Sequence, residues 1–150
     1  MPYFTLARGQ PGPTLMALFG VSIERQEALG KAGQDIPQPV ALNALVDTGA
    51  SCTAVDSNVI QRLGLTPTGV AKIATPSTEG PPLEVAQYDV SIIIPPGRPG
   101  DRSFVLAVLP VIEVKLEGQY LGYTALIGRD ILDQCLFIYD GLGKVSTLAF

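Results

Sequence analysis

The residues best suited to chemistry lie in one run, Ala44-Leu45-Val46-Asp47-Thr48-Gly49-Ala50-Ser51. Three apolar residues lead into an acid, a β-branched hydroxyl and a glycine. This reads as a strand buried on both faces that ends by carrying one carboxylate into a tight turn. A charge is costly to bury unless it is paired, hydrogen-bonded or used, and Gly49 lets the backbone turn close beside Asp47. Two uses fit such an acid: it accepts hydrogen bonds that shape the turn, or it serves as a general acid or base. The chain has no histidine, which removes Ser-His-Asp and Cys-His nucleophiles and most zinc sites. Acid-base work then falls to carboxylates, lysines, tyrosines or cysteines, and neither a metal nor another cofactor is expected.

A chain of 150 residues is expected to form one domain, 1–150, burying roughly two-thirds of the surface its extended form exposes. Charged residues make up 16% and the net charge is −4. There is no basic stripe, so neither nucleic acid nor an anionic membrane is expected as a partner. No apolar run reaches membrane-spanning length, and no basic segment precedes an apolar leader, so a cytoplasmic location is expected. Cys52 and Cys135 form no C-x-x-C pair and read as two buried thiols in a reducing compartment. Cys52 lies close to Asp47, but no basic neighbour is visible that would lower its pKa.

The elements that must position Asp47 follow from hydrophobic runs and turn residues. A hydrophobic content of 47% with 13 prolines and 16 glycines fits many short strands between hard turns. Tyr3 to Leu6 reads as a short edge strand, Thr14 to Ile23 as a second strand and Val40 to Val46 as the strand carrying Asp47. Glu24 to Pro39 reads as a long loop with one helical turn over Arg25 to Leu29, ended by Gly30. Ser51 to Val55 reads as strand; Asp56 and Ser57 then cap a helix over Asn58 to Leu63, closed by Gly64. Val70 to Ala74 and Leu83 to Ile94 flank a polar tip, forming either a cover over a cleft or an ordinary solvated hairpin. Phe104 to Val114 follows, with a bulge or bend expected at Pro110. Ala125 to Gln134 reads as a buried strand passing through Gly128 into a short helix. Cys135 to Tyr139 and Lys144 to Phe150 form a terminal hairpin. Gly141-Leu142-Gly143-Lys144 is not a phosphate loop, because Ile138 stands where the first glycine of that motif belongs.

Three of these segments together resemble the retropepsin family of aspartic proteases: Ala44 to Val55 (ALVDTGASCTAV), Leu83 to Ile94 (LEVAQYDVSIII) and Ala125 to Leu132 (ALIGRDIL). The helix after Asp47 and the terminal hairpin are more similar to the bacterial and DNA-damage-inducible ubiquitin-shuttle branch than to the viral enzymes. The resemblance implies an all-β fold, a retropepsin-like acid protease barrel with two short helices, active as a symmetric homodimer. By the same resemblance Asp47 is the catalytic acid, Thr48 the hydroxyl that locks two catalytic turns together and Gly49 a backbone contact for substrate. Ala50 and a flap tip of Thr75, Pro76, Ser77, Thr78, Glu79, Gly80 and Pro81 would touch a polypeptide substrate, while Gly128 and Arg129 brace the site. Two departures stand out. Ser51 replaces the acid that pairs with the arginine in the viral pattern, and the tip has one glycine where the viral tip has several.

Peptide hydrolysis by carboxylates needs a base to activate water and an acid to protonate the departing amide. The chain contains one D-T-G and no D-S-G, so the second carboxylate would come from a second copy across a two-fold axis. Two carboxylates about 3 Å apart repel by roughly 5 kcal/mol at an effective dielectric of 20, worth about 4 pKa units. Such a pair shares one proton and titrates as a unit, which implies a bell-shaped rate profile with its optimum below neutrality. The alternative reading is a non-catalytic peptide-binding or dimerisation module of the same fold. The altered tip and Ser51 favour it, and the intact Asp47-Thr48-Gly49 opposes it.

Overall fold

The computed structural model describes residues 1–74, 79–116 and 118–150. Among them, ten strands and four helical segments follow in order: β1 (Tyr3–Gly9), β2 (Gly12–Val21), α1 (Ile23–Lys31), β3 (Val40–Val46), β4 (Ala54–Asp56), α2 (Ser57–Arg62), β5 (Gly69–Ile73), β6 (Leu83–Ile94), β7 (Phe104–Val114), α3 (Gly118–Leu121), β8 (Ala125–Ile127), α4 (Arg129–Leu132), β9 (Leu136–Asp140) and β10 (Val145–Ala149). The sheet order is β5-β6-β7-β4-β8-β3-β2-β1-β10-β9, and β6 also pairs with β2. That extra pairing, Leu18↔Ile93 to Val21↔Val90, closes a six-stranded barrel of β2, β3, β8, β4, β7 and β6. Closure removes the open edges these strands would otherwise present.

Period-two alternation fills the barrel. Val40, Leu42, Ala44 and Val46 of β3 point inward, as do Tyr88, Val90, Ile92 and Ile94 of β6 and Leu15, Ala17 and Phe19 of β2. The outer face of β3 is wet: Ala41 and Asn43 are exposed and Leu45 is half-buried. The expectation of a strand buried on both faces is thereby corrected. β3 pairs in parallel with β8, but among the described residues no layer covers its outer side as the helices of an α/β fold would.

Other differences have local causes. The excursion after β2 holds nine helical residues where one turn was expected, because Ser22 caps α1 through Arg25 N and the stop comes at Gly33, not Gly30. Gly33 has φ +64°, and Gly33 N and Gln34 N donate to Gly30 O and Leu29 O in a Schellman closure. With α1 and α3, the helical segments exceed the expected two. α2 follows its sequence signals closely: Asp56 accepts from Asn58 N at 2.9 Å, Gly64 has φ +58° and Leu65 N bonds Ile60 O. β1 is not an edge strand, because β10 covers it from Tyr3↔Ala149 to Ala7↔Val145 and buries Leu6 and Leu148. The register irregularity between β6 and β7 lies between Val90 and Ile92, opposite Leu109 and Leu106; Pro110 itself pairs with Asp89 in register.

Candidate functional site

Asp47 is positioned by two strands. β3 delivers it, and β8, in parallel register beside β3, accepts its backbone N–H at Ile127 O, 3.0 Å. The chain then turns: Gly49 N donates to Asp47 Oδ1 at 2.9 Å and Ala50 N to Asp47 O at 3.2 Å. A Cβ on Gly49 would stand 3.1 Å from Asp47 Oδ1, so any larger residue there would press on that oxygen unless the turn shifted by a few tenths of an ångström. Asp47 is half-buried, and its Oδ2 has no donor among the described residues. Among the described residues the carboxylate thus makes one turn-shaping bond, through Oδ1. Alternation puts Leu45 on the same face as Asp47, and Leu45 is in register with Leu126 of β8.

The turn is held from behind by the β8–α4 elbow. Arg129 N donates to Ala50 O at 2.9 Å, and Arg129 Nη1 donates to Thr48 O at 2.9 Å. The arginine that lacks an acidic partner at Ser51 therefore bonds the main chain of the Asp47 turn. Gly128 is required by proximity: an added Cβ would lie 2.4 Å from Cys52 C and 2.6 Å from Cys52 O. Ser51, Cys52 and Thr53 precede β4 instead of forming part of a strand, and Thr53 spends its N–H and hydroxyl on this elbow.

Two residues that sequence reasoning gave no role complete the brace. Thr53, fully buried, donates its N–H and Oγ1 to the two oxygens of Asp130, both at 2.8 Å. Its Oγ1 also accepts from Gly128 N at 3.2 Å, and Asp130 Oδ1 accepts from Ile131 N at 2.9 Å. One carboxylate so joins residues 77 apart. The available signal was the acid in the first turn after Gly128, placed where helix N–H groups lack partners.

Among the other expected site residues, Thr48 and Gly49 are exposed and Ala50 is half-buried. Glu79, Gly80 and Pro81 are exposed beyond the Ile73↔Leu83 pair that ends the β5–β6 hairpin, and Gly80 has φ +96°. Thr75, Pro76, Ser77 and Thr78 lie outside the described residues. Cys52 and Cys135 are half-buried free thiols. Burial pushes both up, and for Cys52 the Asp130 charge adds to it while the Ser51 hydrogen bond works against it. Neither thiol is activated. A cavity of ≈ 750 Å³ sits at the start of β3, lined by Leu42, Asp56, Arg62 and Lys115; Asp47 does not line it. No group of three or more His, Cys, Asp or Glu residues able to hold a metal ion occurs among the described residues, nor does any helix long and apolar enough to cross a membrane.

A family model described as aspartyl protease matches residues 33–93. A retropepsin-like aspartic protease from Rickettsia conorii superposes with a TM-score of 0.58 at 18% identity, covering 99% of this chain and 90% of that one. EIAV protease complexed with the inhibitor HBY-793 gives 0.41 at 20% identity over 81% and 86% of the two chains. The retroviral protease-like domain of Ddi1 from Leishmania major gives 0.38 at 14% identity over 85% and 82%. The last two overlaps are too loose to bear on the fold. No curated protein matches the chain. The chain is retropepsin-like in fold, and from residue 33 to 93, Asp47-Thr48-Gly49 included, its sequence is similar to that of the aspartyl proteases.

Proposed function

We propose that this protein is an aspartic endopeptidase that acts as a symmetric homodimer, with Asp47 of each chain facing one water. The observation that carries this reading is the state of Asp47: one oxygen is committed to Gly49 N–H, the other has no donor among the described residues, and the turn is braced through Arg129 and Asp130. In the pair, the ionised carboxylate takes a proton from water as the water attacks the scissile carbonyl, and the protonated one donates to the departing amide nitrogen. Gly49 offers main-chain contact to the substrate. Thr48, whose hydroxyl has no partner among the described residues, is free to meet its twin.

A polypeptide in extended form suits the site, since Leu45 and Leu126 lie on the Asp47 face and would favour apolar side chains. The second copy has a candidate seat. β9 ends the sheet and pairs only with β10 among the described residues, with Leu136 49% and Ile138 50% exposed. An unprotected apolar edge of this kind is a template for another strand. β9 follows α4, the helix whose Arg129 holds the Thr48 carbonyl, and two copies paired through this edge would be related by a two-fold axis.

The test is hydrolysis of a diverse peptide mixture across pH, beside Asp47→Asn, with solution mass measured on both. Cleavage by a dimer and none by the variant supports the proposal. Binding without cleavage would favour the non-catalytic module, for which Arg129 gives no support now that it has a partner. A strict monomer that cleaves would refute the shared site.

A further inference from the structure

Along β6 the neighbouring strands change at one place. Leu83 to Gln87 pair with β5, Gln87 onward with β7, and Val90 to Ile93 also with β2. Burial changes there too. Leu83 and Glu84 are exposed, Val85 to Gln87 are half-buried, and Tyr88, at 7% exposure, is the first buried residue of the strand. The β5–β6 hairpin therefore leaves the barrel at Gln87 and Tyr88. Beyond that point Val70 and Leu83 are exposed, and the Lys72–Glu84 ion pair is a solvated contact at 3.8 Å. An arm with so little packing takes its direction from its base.

At the base, Thr68 N bonds Gln87 O at 2.8 Å, and the Tyr88 hydroxyl donates to Glu113 Oε2 at 2.7 Å. Tyr88 is in register with Val111, so Glu113 is its diagonal neighbour on β7, within reach of a long aromatic side chain. Glu113 is in turn paired with Val55 of β4, the strand that follows the Asp47 turn. The bond to Glu113, then burial, then the carboxylate charge push the Tyr88 phenol up, which keeps it a neutral donor.

We infer that the Tyr88–Glu113 hydrogen bond pins the β5–β6 arm at its base and sets its angle to the Asp47 turn, making both side chains positioning residues for a polypeptide held between arm and turn. The role in substrate binding rests on the peptidase reading; the pin itself does not. Hydrogen exchange by mass spectrometry on wild type, Tyr88→Phe and Glu113→Gln separates the two. Tyr88→Phe should speed exchange over Gly69–Ile73 and Leu83–Gln87 on the order of tenfold, the loss of one hydrogen bond to a charged acceptor, while β2 and β3 exchange as in wild type. Glu113→Gln keeps an acceptor and should retain most of the wild-type protection. With a cleaved peptide, Tyr88→Phe should raise KM several-fold more than it lowers kcat. Unchanged hairpin exchange, or equal acceleration throughout the barrel, would overturn the pin. Faster hairpin exchange with KM unmoved would overturn its part in substrate binding.

Discussion

Thr53→Val isolates the brace behind Asp47. Valine matches the shape of threonine but deletes the hydroxyl that donates to Asp130 Oδ1 and accepts from Gly128 N. Thr53 is fully buried and Gly128 is buried, so water cannot replace the bond to Gly128 N, while half-buried Asp130 loses one of the donors to its charge. Losing a hydrogen bond to a charged acceptor costs about 1.5–3 kcal/mol, and leaving a buried N–H unpaired costs about 1–3 kcal/mol. The two losses share one hydroxyl and do not add fully, so the expected destabilisation is about 3 kcal/mol. That is a large part of a stability of roughly 5–15 kcal/mol, and for a chain of this size it lowers Tm by about 6–12 °C. Denaturant titration at one fixed protein concentration, so that any association contributes equally, should show a lower midpoint with the slope unchanged. Thr53→Ser, which keeps the hydroxyl, should recover most of the loss. A Thr53→Val midpoint within about 0.5 kcal/mol of wild type would refute the brace.

Further consequences are as specific. Gly128→Ala places a Cβ 2.4 Å from the Cys52 carbonyl carbon, a contact with main chain that no rotamer relieves, and is expected to abolish soluble folded protein; normal expression and circular dichroism would contradict the close approach. Ile138→Asp puts a charge on the exposed β9 edge and is expected to shift the protein to monomer and remove peptidase activity while far-UV circular dichroism stays as in wild type; an active dimer would move the interface elsewhere. Both cysteine thiols are pushed up by burial, so less thiolate forms at pH 8 than in a free cysteine. Alkylation by iodoacetamide is expected to be several-fold slower in the native protein than in denaturant; equal rates would count against the burial.

Where the sequence was legible, local rules decided the outcome. Val40 to Val46 as a strand, Asp56 and Gly64 as the two ends of α2, and the β5–β6 and β9–β10 hairpins follow from periodicity and turn residues. The wet outer face of β3 was not visible in Ala44-Leu45-Val46, because an apolar triplet reads the same whether one face or two are covered. The extent of α1 was hidden by two glycines, of which only Gly33 takes the left-handed conformation. Barrel closure through Leu18↔Ile93 and the cover of β1 by β10 are pairings of distant segments, set by tertiary packing. The site divided in the same way. Asp47 and Gly49 announced a turn, and ALIGRDIL a strand passing through glycine into a helix. The Arg129 bond to Thr48 O and the Thr53–Asp130 clamp span about 80 residues, and no local pattern encodes them.

The claim that one active centre takes an acid from each of two chains is tested most directly by mixing. Wild type and Asp47→Asn are combined in varying proportion at fixed total concentration, allowed to exchange subunits, and assayed on a cleaved peptide. If both carboxylates are needed, activity falls as the square of the wild-type fraction, to about one quarter at equal proportions. A fall in simple proportion, to about one half, would mean that each chain works alone and would contradict the shared centre.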